Sequence, residues 1–147
     1  MSTLATIDSI QRDITDEFAT LGGDLEMTVM YVMELGQRLA AFPEASRTEL
    51  NEVKGCQSKV WLVAREENGK IFFDADSNTA ITKGLVSLLV RLFNGQTPEA
   101  ILHADLHFIR DIGMDRFIGT QRSNGFAAMI KQMKMFALAF KTNMQEN

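Results

Sequence analysis

The chain has a single cysteine, Cys56, so no disulfide can close within it and no set of thiolates can gather on a metal. Imidazole is nearly as scarce. His103 and His107 are the only histidines, so a cysteine hydrolase would need one of them as its base. A metal site drawn from His103, His107 and Cys56 has two histidines at a helical spacing but no further ligands in order around them, and neither reading is favoured. Positive charge is not in excess: 15 lysines and arginines against 19 acids leave a formal charge of −4. That balance gives no general electrostatic hold on nucleic acid or on anionic lipid. Long apolar runs are missing too. The longest stretch, Gly84 to Phe93, is interrupted by Ser87 and Arg91 and is far too short for a bilayer. The start of the chain lacks the basic, then apolar, then small-residue order of a secretory signal, and the expected location is the cytoplasm.

What is present suits one domain over residues 1–147, with 46% hydrophobic residues and an interior rich in methionine and phenylalanine. Ile7, Ile10, Ile14, Phe18 and Leu21 recur at steps of three and four, one stripe of an amphipathic helix that Gly22-Gly23 ends. Asp24 is placed to cap a second helix carrying Val29, Val32, Met33, Gly36 and Leu39, with Pro43 as its stop. A polar loop follows, then a short strand over Leu50–Val53, then the segment around Cys56. Val60–Ala64 reads as a strand buried on both faces because its apolar run is unbroken. Asn68-Gly69 predicts a hairpin turn into a return strand, Lys70–Asp74.

Ser77 is placed to cap a third helix whose inner face is Ile81, Leu85, Leu88, Leu89 and Leu92. Gly84 lies inside that helix at a propensity cost of about 1 kcal/mol relative to alanine, which predicts a close approach that needs a small residue. Thr97-Pro98-Glu99 starts a short helix, since proline at the first position gives up an amide that would have had no partner. Another short helix is expected over Asp105–Ile112. The last helix runs from near Ser123 towards Met144, with Phe126, Met129, Met133, Phe136, Ala137 and Phe140 inward and Lys131, Lys134 and Lys141 on a solvated face.

The chemistry concentrates in Lys54-Gly55-Cys56-Gln57-Ser58-Lys59, a loop ahead of the strand that begins at Val60. Gly55 permits backbone angles closed to other residues, so the turn that carries Cys56 can be tight and present its sulfur. A free thiol is only a few per cent thiolate near neutrality, and Lys54 and Lys59 are the cations placed to lower its pKa. A lone cysteine is usually a small buried hydrophobe. The polar neighbours Gln57 and Ser58, and the distance of Cys56 from the apolar run, argue for chemistry over packing.

Glu34-Leu35-Gly36-Gln37-Arg38-Leu39, then Gly55-Cys56-Gln57-Ser58-Lys59-Val60-Trp61-Leu62, then Asp76-Ser77 with Lys83-Gly84-Leu85, then Thr97-Pro98-Glu99, then Arg122-Ser123-Asn124-Gly125 form an ordered set. Over roughly Tyr31 to Phe136 the chain resembles the SufE family, sulfur acceptors that serve cysteine desulfurases. The resemblance implies an α+β fold, a small antiparallel sheet against several helices, similar to that of the IscU-type iron–sulfur scaffolds. It implies Cys56 as the persulfide acceptor, Gly55, Gln57 and Ser58 as its supporting loop, and Arg122 in a motif near that loop at the desulfurase interface. The expected partners are a cysteine desulfurase, which the chain stimulates, and a downstream iron–sulfur scaffold or other sulfur acceptor. Pyridoxal phosphate belongs to the desulfurase, and this chain needs neither cofactor nor metal. It is expected to carry sulfur rather than to be an independent enzyme. The alternative is a cofactor-free binding module in which Cys56 only packs.

Three departures from the family pattern stand out. Leu39 is followed by Ala40 where proline is usual. Ser77-Asn78 replaces a Ser-Asp pair, removing a negative charge near the cysteine region. Gly119-Thr120-Gln121 replaces a Ser/Thr-Pro turn ahead of Arg122.

Overall fold

In a computed structural model that describes residues 5–146, three helices carry the first half of the core. The outer ends of the domain expected over 1–147, residues 1–4 and 147, lie outside the described residues. Helix α1 (Ile7–Ala19) is capped by Thr6, whose side chain accepts from the Ser9 amide, and it buries Ile7, Ile14 and Phe18. The polar residue on that stripe, Gln11, is fully buried. Its Nε2 donates to the Asp105 carbonyl, and its Oε1 accepts from the amides of His107 and Phe108, so the desolvated amide is paired on both sides. Helix α2 (Leu25–Gln37) has Asp24 as its cap, as expected, accepting from the Met27 amide at 2.9 Å. It ends at Arg38, well before Pro43.

Helix α3 (Ala80–Phe93) is the most buried element, and α2 crosses it glycine against glycine. A Cβ on Gly84 would lie 2.0 Å from the Val32 carbonyl oxygen, and one on Gly36 would lie 2.7 Å from the Gly84 nitrogen. The small residue expected at Gly84 is therefore a steric requirement of backbone approaching backbone. Glu17 ties all three helices together, accepting from the Tyr31 hydroxyl at 2.6 Å and from the Arg91 guanidinium. The Arg91 hydrogen bond, against a smaller opposing effect of burial, holds the Glu17 carboxyl below its ordinary pKa.

Two strands make the sheet. Strand β1 (Val60–Glu67) and strand β2 (Lys70–Ser77) pair antiparallel, with Val60 opposite Ser77 and Glu67 opposite Lys70. Asn68 and Gly69 both have positive φ, as the tight hairpin turn requires. Val60, Leu62, Ile71, Phe73 and Ala75 bury one face against the helices. The expectation that β1 is buried on both faces fails: Trp61 and Val63, on the other face, are half-exposed. Arg47 covers that face instead. Its guanidinium stacks 5.3 Å from the Trp61 ring and 5.4 Å from that of Phe42, and it forms an ion pair with Asp76, the cross-strand partner of Trp61.

Five further expectations are corrected. Leu50–Val53 is not a strand: Glu49–Asn51 forms a 3₁₀ turn and Leu50 is 92% exposed, leaving only the bridge from Glu52 to Trp61 and the Val53 amide bonded to the Val60 carbonyl. Ser77 does not cap α3. It ends β2 and donates its hydroxyl to the Lys59 carbonyl at 2.8 Å, while Thr79 takes the cap position. Helix α4 (Pro98–Leu102) starts on Thr97 as expected, but helix α5 is only Phe108–Asp111, because Asp105 and His107 are engaged by Gln11. Helix α6 (Gly119–Glu146) begins ahead of Ser123 and so takes Arg122 into its first turn. On α6, Phe126, Met129, Met133 and Ala137 face inward. Two lysines of the face expected to be solvated are tied down: Lys134 donates to the Ala104 carbonyl at 2.8 Å and Lys141 pairs with Glu99 at 3.5 Å. No helix among the described residues is long and apolar enough to cross a membrane.

Candidate functional site

The cysteine loop is pinched at its base and backed by α6. The bond from the Val53 amide to the Val60 carbonyl, 2.8 Å long, closes one side. Lys59 is held on the other: its amide donates to Asn78 Oδ1 at 3.0 Å, and its carbonyl accepts from the Asn78 amide at 3.2 Å and from the Ser77 hydroxyl. Asn78 supplies this acceptor with a neutral amide oxygen, so the missing negative charge does not break the clamp. Gly55 has φ of +92°, a conformation an L side chain resists, and a Cβ there would meet Ala128 Cβ at 3.4 Å, in van der Waals contact. The turn is thus drawn in against α6.

Cys56 is half-buried, and its thiol donates to the Gly125 carbonyl across 3.4 Å. Burial pushes its pKa above the ordinary thiol value, and it is the one cause of the shift. Lys54 and Lys59, expected to draw the pKa down, are exposed and do not do so. At rest the sulfur is a sheltered, neutral thiol.

A cleft of about 340 Å³ opens beside it, floored by Leu85 and Met129 and walled by the loop, by Met33 of α2, by the start of α3 and by the start of α6. Four of the five residues expected from the sequence come together here. Cys56, Gln57, Ser58 and Arg122 line this one cleft, whereas Gly55 stands behind it against α6. Ser58 Oγ accepts from Thr79 Oγ1 at 3.0 Å and from Thr82 Oγ1 at 3.4 Å, which fastens the loop to the first turn of α3. Arg122 is exposed, forms no ion pair among the described residues, and is the sole charged side chain on the lining. Its helix begins at Gly119, so the Gly119-Thr120-Gln121 departure is accommodated as the opening turn of α6.

Thr79, Thr82, Met33, Gly125 and Met129 were not singled out as site residues. Four of them stand in stretches read as helices for other reasons, and only the Arg122–Gly125 motif pointed at the fifth. His103 and His107 do not share a helix: they flank the turn between α4 and α5, and neither lines the cleft. The His107 ring meets Asp111 at 2.7 Å. No grouping of three or more metal-ligating side chains occurs among the described residues.

The arrangement offers a nucleophile without a base: one sulfur, shelter for it, and a cation at the rim. A family model described as SufE, an Fe–S metabolism associated domain, matches residues 12–137. The match reaches further towards the N-terminus than the motifs do, taking in most of α1. A curated protein of Rhizobium meliloti (strain 1021), named as an uncharacterised SufE-like protein, is 37% identical over 126 residues, which cover 82% of this chain and 89% of that one. The solution structure of a hypothetical protein from Thermus thermophilus matches with a TM-score of 0.74 over 90% of this chain and 96% of that one; at 22% identity the likeness is one of fold.

Proposed function

The chain belongs to the SufE family, tied to iron–sulfur metabolism, and from that membership we propose that Cys56 accepts sulfur from the persulfide of a cysteine desulfurase and passes it on towards iron–sulfur assembly. The observation that carries this reading is the mounting of the sole cysteine. Cys56 sits on a glycine turn beside a cleft rimmed by Arg122, with no histidine or carboxylate on the lining. A hydrolytic cysteine needs a base within hydrogen-bond reach, and a packing cysteine needs no cleft.

The transfer balances without an oxidant. Cys56 loses its proton to solvent or to the docked partner, and its thiolate attacks the outer sulfur of the partner's cysteine persulfide. The bond from Cys56 Sγ to that sulfur forms as the partner's sulfur–sulfur bond breaks, and the partner's cysteine leaves as thiolate. Carbon–sulfur cleavage is the work of the partner's pyridoxal phosphate, so this chain carries no cofactor of its own. Because its thiol rests neutral and half-buried, the loop must release Cys56 when the partner docks. Removing the partner's product sulfur is also what stimulates the desulfurase.

The test is an intact-mass measurement after mixing the protein with a desulfurase, cysteine and pyridoxal phosphate. Wild type gains one sulfur atom, and Cys56→Ser, which keeps the volume but not the nucleophile, gains none and no longer stimulates cysteine turnover. A wild-type mass that stays unchanged while the desulfurase turns over would sink the reading.

A further inference from the structure

Three buried helical glycines sit close to another chain segment, and only two of them are explained by crowding. Gly36 and Gly84 are backbone-on-backbone contacts that a Cβ would violate. Gly125 differs. A Cβ built there would lie 3.5 Å from Cys56 Sγ, 3.7 Å from its Cα and 3.8 Å from its Cβ, all ordinary van der Waals distances. The resting thiol form therefore has room for alanine at 125, and alanine is the better helix residue. Something other than the thiol form needs that space.

Resting on Cys56 as the sulfur carrier, we infer that the bare Cα of Gly125 is the seat of the outer sulfur when Cys56 is loaded and its loop is closed. A persulfide replaces the thiol hydrogen by an atom about 2.05 Å from Sγ. It cannot follow the present hydrogen-bond line, because the Gly125 carbonyl oxygen stands only 3.4 Å away on it. The outer sulfur must turn aside, and the glycine leaves the wall of the cleft open there, on the side that Arg122 also lines. Deprotonated, that sulfur bears the negative charge, and no acidic side chain opposes it on the lining. A Cβ at 125 takes the space, so the loaded loop can no longer close and the cargo stays exposed to attack by nucleophiles.

The experiment uses Gly125→Ala and loads both proteins chemically with inorganic polysulfide, so that desulfurase docking plays no part. The thiol form of the variant melts no lower than wild type. Once loaded, it gives up its sulfur to cyanide faster by about tenfold or more, the penalty expected for forcing one more atom into filled space. Equal cyanide rates overturn the inference, as does a variant that melts lower or fails to fold, since the argument requires the thiol form to accept the methyl group. Uptake of sulfur from the desulfurase by wild type is scored separately and bears on the carrier role alone.

Discussion

Gly84→Ala adds one methyl group at the crossing of α2 and α3 and should cost far more than its size suggests. Overpacking costs about 1–3 kcal/mol in displaced side chains and shifted backbone. Here the new Cβ meets the Val32 carbonyl oxygen at 2.0 Å and the Val32 Cγ1 at 2.6 Å. The carbonyl is fixed by the helix, so the whole of α2 has to move and the cost belongs at the top of that range. Alanine recovers about 1 kcal/mol of helix propensity. The net loss is about 2 kcal/mol, a fall in Tm of roughly 4–8 °C for a chain of this length.

Urea unfolding measures the loss directly. Because α2 brings Met33 and α3 brings Thr82 and Leu85 to the cleft, with Thr79 at the α3 cap, the same displacement should loosen the cysteine loop and speed alkylation of Cys56 by iodoacetamide. Gly84→Ala with wild-type stability would refute the argument that this crossing is set by backbone contact. So would a loss of stability with Cys56 reactivity unchanged, as far as the link from crossing to cleft is concerned.

Arg122→Ala should slow sulfur transfer from the desulfurase much more than it slows alkylation of Cys56, with lysine rescuing only in part because it lacks the planar fork of donors; equal transfer rates in all three proteins would return Arg122 to the solvated surface. Asp76→Asn should lower Tm at neutral pH. Burial pushes the Asp76 carboxyl up, but Arg47, the Ser77 amide and Lys83 together outweigh it and hold the pKa below its ordinary value. The contribution is therefore complete above the unfolded pKa of about 3.9 and is lost as pH falls through the lower folded value, so the gap between variant and wild type should narrow below about pH 4 in thermal melts. The alkylation rate of Cys56 should still be climbing at pH values where a free thiol has reached its plateau, because burial raises its pKa; a midpoint at or below the ordinary thiol value, read from the pH–rate profile, would contradict the sheltered resting state.

The elements that the sequence made legible are those whose cause is local. The stripe of α1, the caps at Asp24 and Thr97 and the turn at Asn68-Gly69 each follow from residues a few positions apart, and each forms as read. The misreadings share the opposite trait. Ser77 has the composition of a cap, but the Lys59 carbonyl, brought back by the loop, takes its hydroxyl. Leu50 looks like strand material but stands 92% exposed in a 3₁₀ turn, and the outer face of the sheet is covered instead by Arg47, stacked on Trp61 and paired with Asp76. Within the site, Cys56, Gln57 and Ser58 could be picked out by residue type, and Arg122 by the family resemblance alone. Thr79 and Thr82 could not, since threonines opening a helix read as ordinary helix-start residues until the hairpin sets them against Ser58.

The hydrogen bond at Cys56 also sets what kind of event its release has to be. A thiol can donate to the Gly125 carbonyl; a thiolate cannot, and at 3.4 Å it would face the negative end of the carbonyl dipole. Closure therefore favours the protonated sulfur, in the same sense as burial does. By linkage, whatever factor closure contributes to suppressing ionisation is the factor by which ionisation favours opening. Opening the loop and making the nucleophile are then two sides of one equilibrium, and the chain needs no base beside Cys56. In the proposed relay, a docked partner that binds the open loop raises the thiolate population by that preference alone, at the moment its own persulfide is in reach. In the absence of a partner, the same coupling keeps the thiol of Cys56 sheltered and favours its protonated form.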